Sequence, residues 1–110
     1  MLTAYEKKGF IEVGISNHCI YHPFVNINVH AQYFNNLDKF LDVYKASFDY
    51  IDEAASKHKI KVFKGLEVDY FPSAQWNNLF EKIIKELNPD YLIGATHFIR
   101  TEDEKSLYHI

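Results

Sequence analysis

One cysteine, three prolines and four glycines in 110 residues leave little material for several familiar constructions. Cys19, standing alone, excludes an internal disulfide and any cluster of thiolate metal ligands. A single thiol suits a reducing compartment, so a cytoplasmic location is expected. No stretch approaches the roughly 20 consecutive apolar residues of a membrane span. The N-terminus also lacks the charged-then-apolar order of a signal peptide, so a soluble chain without a membrane partner is expected. Positive charge is not in excess: 12 Lys and Arg against 15 Asp and Glu leave a formal net charge of −3 with no basic cluster. Binding a phosphate backbone requires such a cluster, which argues against a nucleic-acid partner. Internal repeats and low-complexity linkers are missing too. What the chain does have is apolar and aromatic side chain, 47% and 16% of residues, enough for the core of a single domain over residues 1–110.

The apolar residues are spaced in alternating periods. Leu2 to Lys8 reads as the last turns of a helix, with Gly9 where a left-handed C-terminal cap is wanted. A strand would normally feed such a helix and none precedes it, so a truncated or split product is expected. Phe10 to Ile15 is short, branched and mostly apolar, which predicts a strand buried on both faces. Ser16 to Asn36 follows neither period and is long for a connection. Asn36 can cap a helix whose stripe is Phe40, Leu41, Tyr44, Phe48, Ile51 and Ala55. Ile60, Val62, Leu66 and Val68 mark a second strand ended by Pro72, with Gly65 inside it hinting at close backbone approach or a bulge. Ser73 can cap a further helix with the stripe Trp76, Leu79, Phe80, Ile83, Ile84 and Leu87. Asn88-Pro89-Asp90 stops that helix before a third strand, Tyr91 to Ala95. The order αβαβαβ predicts an α/β fold of parallel strands with helices packed on them, either an open doubly wound sheet or part of a barrel.

In parallel α/β proteins, ligands collect at the carboxyl ends of the strands. Here the first strand runs into Asn17-His18, the second carries Glu67 and Asp69, and the third ends in Thr96-His97. A lone histidine at a strand end is more often a hydrogen-bonded structural residue than a ligand. Glu67 is different, because its neighbours in Gly-Leu-Glu-Val-Asp are residues expected to be buried, and an unpaired buried charge is costly. With His18 and His97 on neighbouring strands, a divalent metal (zinc, manganese or iron) supplies the partner that Glu67 needs. Asp69 shares the Glu67 face by alternation and can hydrogen-bond a ligand from behind. Arg100 can hold a phosphate oxygen, against the simpler reading of a surface ion pair in the acidic segment Arg100 to Lys105. His22 and His30 in the long segment read as solvated, His58 as offsetting a helix C-terminal dipole, and His109 has no assignable role.

Three segments in order, Gly14-Ile15-Ser16-Asn17-His18, Gly65-Leu66-Glu67-Val68-Asp69-Tyr70 and Ile93-Gly94-Ala95-Thr96-His97-Phe98-Ile99, resemble the PHP domain of histidinol-phosphatases. The resemblance spans roughly residues 1 to 99. It implies part of a distorted (βα)7 PHP barrel whose rim binds up to three divalent metals and hydrolyses phosphate monoesters. By this resemblance His18 binds one metal, Glu67 bridges two others and His97 completes one of them, with no side-chain nucleophile. Asn17, where the family usually has Asp, and Asp69 and Arg100 are the candidates for substrate or supporting contacts. The implied substrate is a phosphorylated small molecule, L-histidinol phosphate, in histidine biosynthesis.

The family's opening His-x-His pair and its later histidine and Asp-x-His ligands have no counterpart in these 110 residues. With part of the shell, weak binding of one metal and little or no hydrolysis by the isolated chain are expected. A complementing chain or a neighbouring copy would supply the rest. Two alternatives stand beside this reading: another PHP phosphoesterase with a different substrate, and a non-catalytic remnant that folds by self-association.

Overall fold

In the computed structural model, which describes residues 1–19, 36–70, 74–96, 98–100 and 107–109, the alternating periods become alternating elements. In chain order these are α1 (Leu2–Lys7), β1 (Glu12–Cys19), α2 (Leu37–Ser56), β2 (Lys61–Asp69), α3 (Ala74–Leu87), β3 (Tyr91–Ala95), β4 (Phe98–Arg100) and β5 (Leu107–His109). The αβαβαβ order matches the one read from sequence, and an antiparallel pair, β4 with β5, follows it unforeseen. Three-residue strands are too short for any hydrophobic period to be read from them.

Local chemistry explains the helix ends. The Asn36 side-chain oxygen accepts the Lys39 N–H at 3.0 Å, satisfying one of the donors that a helix N-terminus leaves without an internal partner. At the far end of α3, Asn88 takes a left-handed φ of 45° and donates its N–H to the Ile84 carbonyl, after which Pro89 cannot continue the helix. Ser73 and Pro72 lie outside the described residues.

The end of α1 is a Schellman motif. Gly9 has φ +84°, its N–H reaches the Glu6 carbonyl at 3.0 Å, and the Phe10 N–H reaches the Tyr5 carbonyl at 3.1 Å. The apolar contact that usually accompanies this motif is the edge-on packing of Tyr5 and Phe10, with ring centroids 5.5 Å apart. Space is not the constraint at Gly9, where an added Cβ meets nothing within 4 Å. The positive φ is. Gly9→Ala is therefore expected to cost about 1 kcal/mol, measured as a lower urea midpoint with unchanged slope. A neutral result would contradict the cap.

β1, β2 and β3 form one parallel sheet in sequential order, β1-β2-β3. Helices α2 and α3 lie on one of its faces. Phe40, Leu41, Tyr44, Phe48 and Ile51 of α2 and Trp76, Ile83 and Leu87 of α3 form a single cluster with Cys19, Leu66 and Val68 of the sheet. The two stripes predicted from sequence are thus the two helix faces that meet the strands, because residues three and four apart share a face. β1 departs from expectation. Burial alternates along it, with Val13, Ile15, Asn17 and Cys19 toward the helices and Glu12, Gly14, Ser16 and His18 exposed, so only one of its faces is covered.

The opposite sheet face is ordered in layers by the parallel register. Ser16, Gly65 and Tyr91 stand side by side, as do His18, Glu67 and Ile93 one layer nearer the carboxyl ends. The Tyr91 ring lies across both Gly14 and Gly65, and a Cβ on Gly14 would come within 2.6 Å of the Tyr91 hydroxyl. Gly65 therefore makes room for a side chain from the neighbouring strand, rather than for the close backbone approach or the bulge read from sequence.

Candidate functional site

Parallel pairing of β1 with β2 sets His18 directly opposite Glu67. Their side chains meet on the face away from the helices, with His18 Nδ1 3.6 Å from the nearer Glu67 oxygen. His18 is 61% exposed and Glu67 27% exposed, so the pair is accessible from solvent. A tetrahedral ion with bonds of about 2.0–2.2 Å holds two of its donors about 3.3 Å apart. The observed spacing is close to that, and imidazole with carboxylate is a donor set that zinc, manganese and iron accept. The two residues fit the role of two metal ligands. The same spacing serves a charge-assisted contact between imidazolium and carboxylate in the absence of any ion.

The backbone under His18 is held from α2. The Tyr44 hydroxyl donates to the His18 carbonyl, which satisfies a phenol that is otherwise buried in the core. Asn17 turns the other way, and its amide donates to the Ser47 hydroxyl at 3.0 Å on the helix side of the sheet. Successive side chains of a strand point to opposite faces, so Asn17 and His18 cannot share one. Tyr44 and Ser47 went unnoticed in the sequence. Tyr44 reads there as one more member of an apolar stripe, and the only available signal is that a buried phenol needs an acceptor.

Asp69 lies on the Glu67 face, half-buried, opposite Ala95. Arg100 falls in β4, opposite Leu107 of β5. His97, the third expected ligand, lies outside the described residues, as do His22 and His30. Among the described residues no group of three or more His, Cys, Asp or Glu side chains is placed to hold a metal ion. The structure thus brings together two of the three proposed ligands.

His58 has a different role from the one read in sequence. Its Nδ1 lies 2.9 Å from Glu6, and the other oxygen of that carboxylate accepts the backbone N–H groups of Lys59 at 2.6 Å and Ile60 at 3.1 Å. A carboxylate from α1 thereby fastens the turn between α2 and β2. The carbonyls at the end of α2 are met instead by the N–H groups of Lys57 and His58. The hydrogen bond to His58, followed by the bond from Ile60, holds the Glu6 carboxyl below its ordinary value. A carboxylate depressed in the folded state adds stability that is complete above the unfolded value of about 4.3. That stability is withdrawn as pH falls through the lower folded-state value. Wild type is accordingly expected to exceed Glu6→Gln in urea midpoint near neutrality, with the gap closing as pH falls below the ordinary carboxylate range. A gap independent of pH would assign the effect to shape rather than charge.

Among the described residues, two hollows flank the sheet. The larger, about 670 Å³, lies at the amino ends of the strands between Phe10, Ile11 and the Ser56–Ile60 turn, far from His18 and Glu67 in strand position. The smaller, about 390 Å³, runs beside β3 and reaches Asp69, Tyr70 and Thr96 at the carboxyl rim. No helix among the described residues is long and apolar enough to cross a membrane. Compared with protein-family models, curated proteins and solved structures, the chain has no significant match to any of them.

Proposed function

We propose that the chain carries part of the metal-binding rim of a PHP-type phosphoesterase similar to the histidinol-phosphatases. The observation that carries this reading is the meeting of His18 and Glu67, 3.6 Å apart, at the carboxyl ends of adjacent parallel strands on the face free of helices. The sequential strand order, with α2 and α3 on one face, is also the arrangement of an arc of a βα barrel, whereas a doubly wound sheet reverses strand order and covers both faces.

In this reading His18 and Glu67 hold a divalent ion, His97 adds a third donor by the family resemblance, and Asp69 supports the rim from two residues along β2. Arg100, just past His97 in sequence, is assigned to a phosphate oxygen of the substrate by its charge and position rather than by the resemblance. A bound ion of this kind polarises phosphoryl oxygens and lowers the pKa of a coordinated water. Glu67 contributes negative charge that concentrates the cation. The substrate proposed is a phosphate monoester, L-histidinol phosphate, in the cytoplasmic synthesis of histidine.

The test is elemental analysis of the purified full chain before and after equilibration with zinc, manganese or ferrous iron, followed by phosphate release from histidinol phosphate. Metal retained through gel filtration is the expected result, with hydrolysis weak in the chain alone. A chain that retains no metal after reconstitution would contradict the proposal and leave a non-catalytic, self-associating domain.

A further inference from the structure

At the amino ends of the strands the fold gathers positive charge that is scattered in the sequence. Lys7 and Lys8 close α1, Lys59 lies in the turn between α2 and β2, and Lys61 opens β2. All four are exposed, and among the described residues none of them forms an ion pair. Read along the chain they are no cluster, because they fall in two distant segments. Two contacts join those segments: the Glu6 carboxylate of α1 accepts the Lys59 N–H, and the Lys61 N–H donates to the Ile11 carbonyl at 2.9 Å. The carboxylates at this end do not cancel the patch. Glu6 is occupied by His58 and the backbone of the turn, Glu53 stands 3.9 Å from a fifth lysine, Lys57, and Glu12 lies opposite Lys61 in register. Lys7, Lys8 and Lys59 thus concentrate positive charge at one end of a chain whose formal net charge is −3.

Set beside these lysines are Phe10 and Ile11, 53% and 80% exposed. Ile11 is the most exposed large apolar side chain among the described residues. Both line the 670 Å³ hollow together with Lys57 and Lys59. Neither belongs to a loose tail: the Phe10 N–H is held by the cap of α1 and the Ile11 carbonyl by β2. One exposed apolar residue is ordinary. Two in succession, held on fixed backbone and flanked by cations, mark a contact surface.

We infer that this end of the molecule rests on an anionic lipid surface. Phe10 and Ile11 enter the boundary between headgroups and acyl chains, and the lysines meet the lipid phosphates while their stems lie along the apolar layer. Charge complementarity selects an anionic partner, and the apolar pair selects a bilayer among anionic partners. A nucleic acid or an acidic peptide uses the lysines and could stack on Phe10, but it offers nothing to an aliphatic side chain as open as Ile11. This contact is peripheral and needs no spanning segment. It also leaves the opposite end free, so the carboxyl rim with His18 and Glu67 faces the solvent.

The test is sedimentation of the full chain with vesicles of phosphatidylcholine containing about a third phosphatidylglycerol, against vesicles of phosphatidylcholine alone. Binding to the anionic vesicles only is expected. It weakens as salt is raised from about 0.1 M to 1 M, where the Debye length falls from about 10 Å to 3 Å. Lys8→Gln and Lys59→Gln are each expected to lower the partition coefficient about fivefold, the equivalent of about 1 kcal/mol for each basic residue near such a surface. Ile11→Ser is expected to lower it about tenfold, because its apolar burial in the boundary is lost. Lys39→Gln removes the same charge from the other end, at the start of α2, and should leave binding unchanged. Circular dichroism checks that Ile11→Ser is folded, and the lysine variants carry the test if it is not.

A chain that ignores anionic vesicles overturns the inference. Equal losses in Lys39→Gln and Lys8→Gln overturn it too, since overall charge would then be the cause. So does an Ile11→Ser variant that is folded and binds as well as wild type, which would reduce the contact to charge alone. Affinity for duplex DNA or for a second copy of the chain in place of vesicles would assign the patch to that partner instead. Metal uptake bears on none of these outcomes, so the phosphoesterase reading stands or falls separately.

Discussion

Phe40→Ala is expected to lower stability by about 3–5 kcal/mol. Phe40 is 0% exposed in the middle of the helix-sheet core and stacks on Tyr44 with ring centroids 4.3 Å apart. Removing the ring forfeits its transfer free energy and leaves a cavity that neighbours anchored in two helices and a sheet fill only in part. Domains of this size are stable by only about 5–15 kcal/mol, so the loss is a large share of the total. Urea unfolding at 25 °C measures it, with Phe40→Leu as the milder companion, expected to cost about 1–2 kcal/mol. A loss below about 1 kcal/mol for the alanine variant would mean that the ring is not enclosed as described. Because Tyr44 also holds the His18 carbonyl, the same variant is expected to loosen the rim.

Glu67→Gln is expected to weaken metal binding by more than about 100-fold, beyond the 10–100-fold typical of losing an outer-shell partner of a metal site. The carboxamide keeps shape and removes the charge. Glu67 is partly exposed, so stability should change by no more than about 0.5–1 kcal/mol. Isothermal titration with zinc or manganese reads the affinity, and urea unfolding confirms that the fold is kept. Asn17→Ala is the informative control, since its amide is engaged with Ser47 on the helix side and metal affinity should be unmoved. Unchanged binding in Glu67→Gln would remove the residue from the ligand set and with it the observation on which the functional reading rests.

The helices were legible because their signals are local and redundant. Phe40, Leu41, Tyr44, Phe48 and Ile51 share one face at any plausible helix boundary, and Asn36 needs only its own neighbours to cap them. Gly9 was legible for the same reason, since a left-handed cap is a property of one residue and two hydrogen bonds. His58 was not. Its partner, Glu6, lies 52 positions earlier, and a helix-end histidine has a local explanation that sequence alone cannot discard. β1 was misread as doubly buried because Ile11, Val13 and Ile15 look alike in either environment, and coverage depends on what the rest of the chain places over each face.

By itself the sequence determined the order of the three helices and the three parallel strands, the apolar stripes of α2 and α3, and the presence of imidazole and carboxylate at successive strand ends. These follow from periodicity, which each segment carries internally. Only the tertiary structure decided that β1, β2 and β3 lie side by side in that order and that α2 and α3 cover one face. It also decided that His18 meets Glu67 while Asn17 turns away. Those facts are set by register, and register is a relation between strands whose paired residues lie 49 (β1–β2) and 26 (β2–β3) positions apart in the chain, fixed when the whole apolar face is buried together.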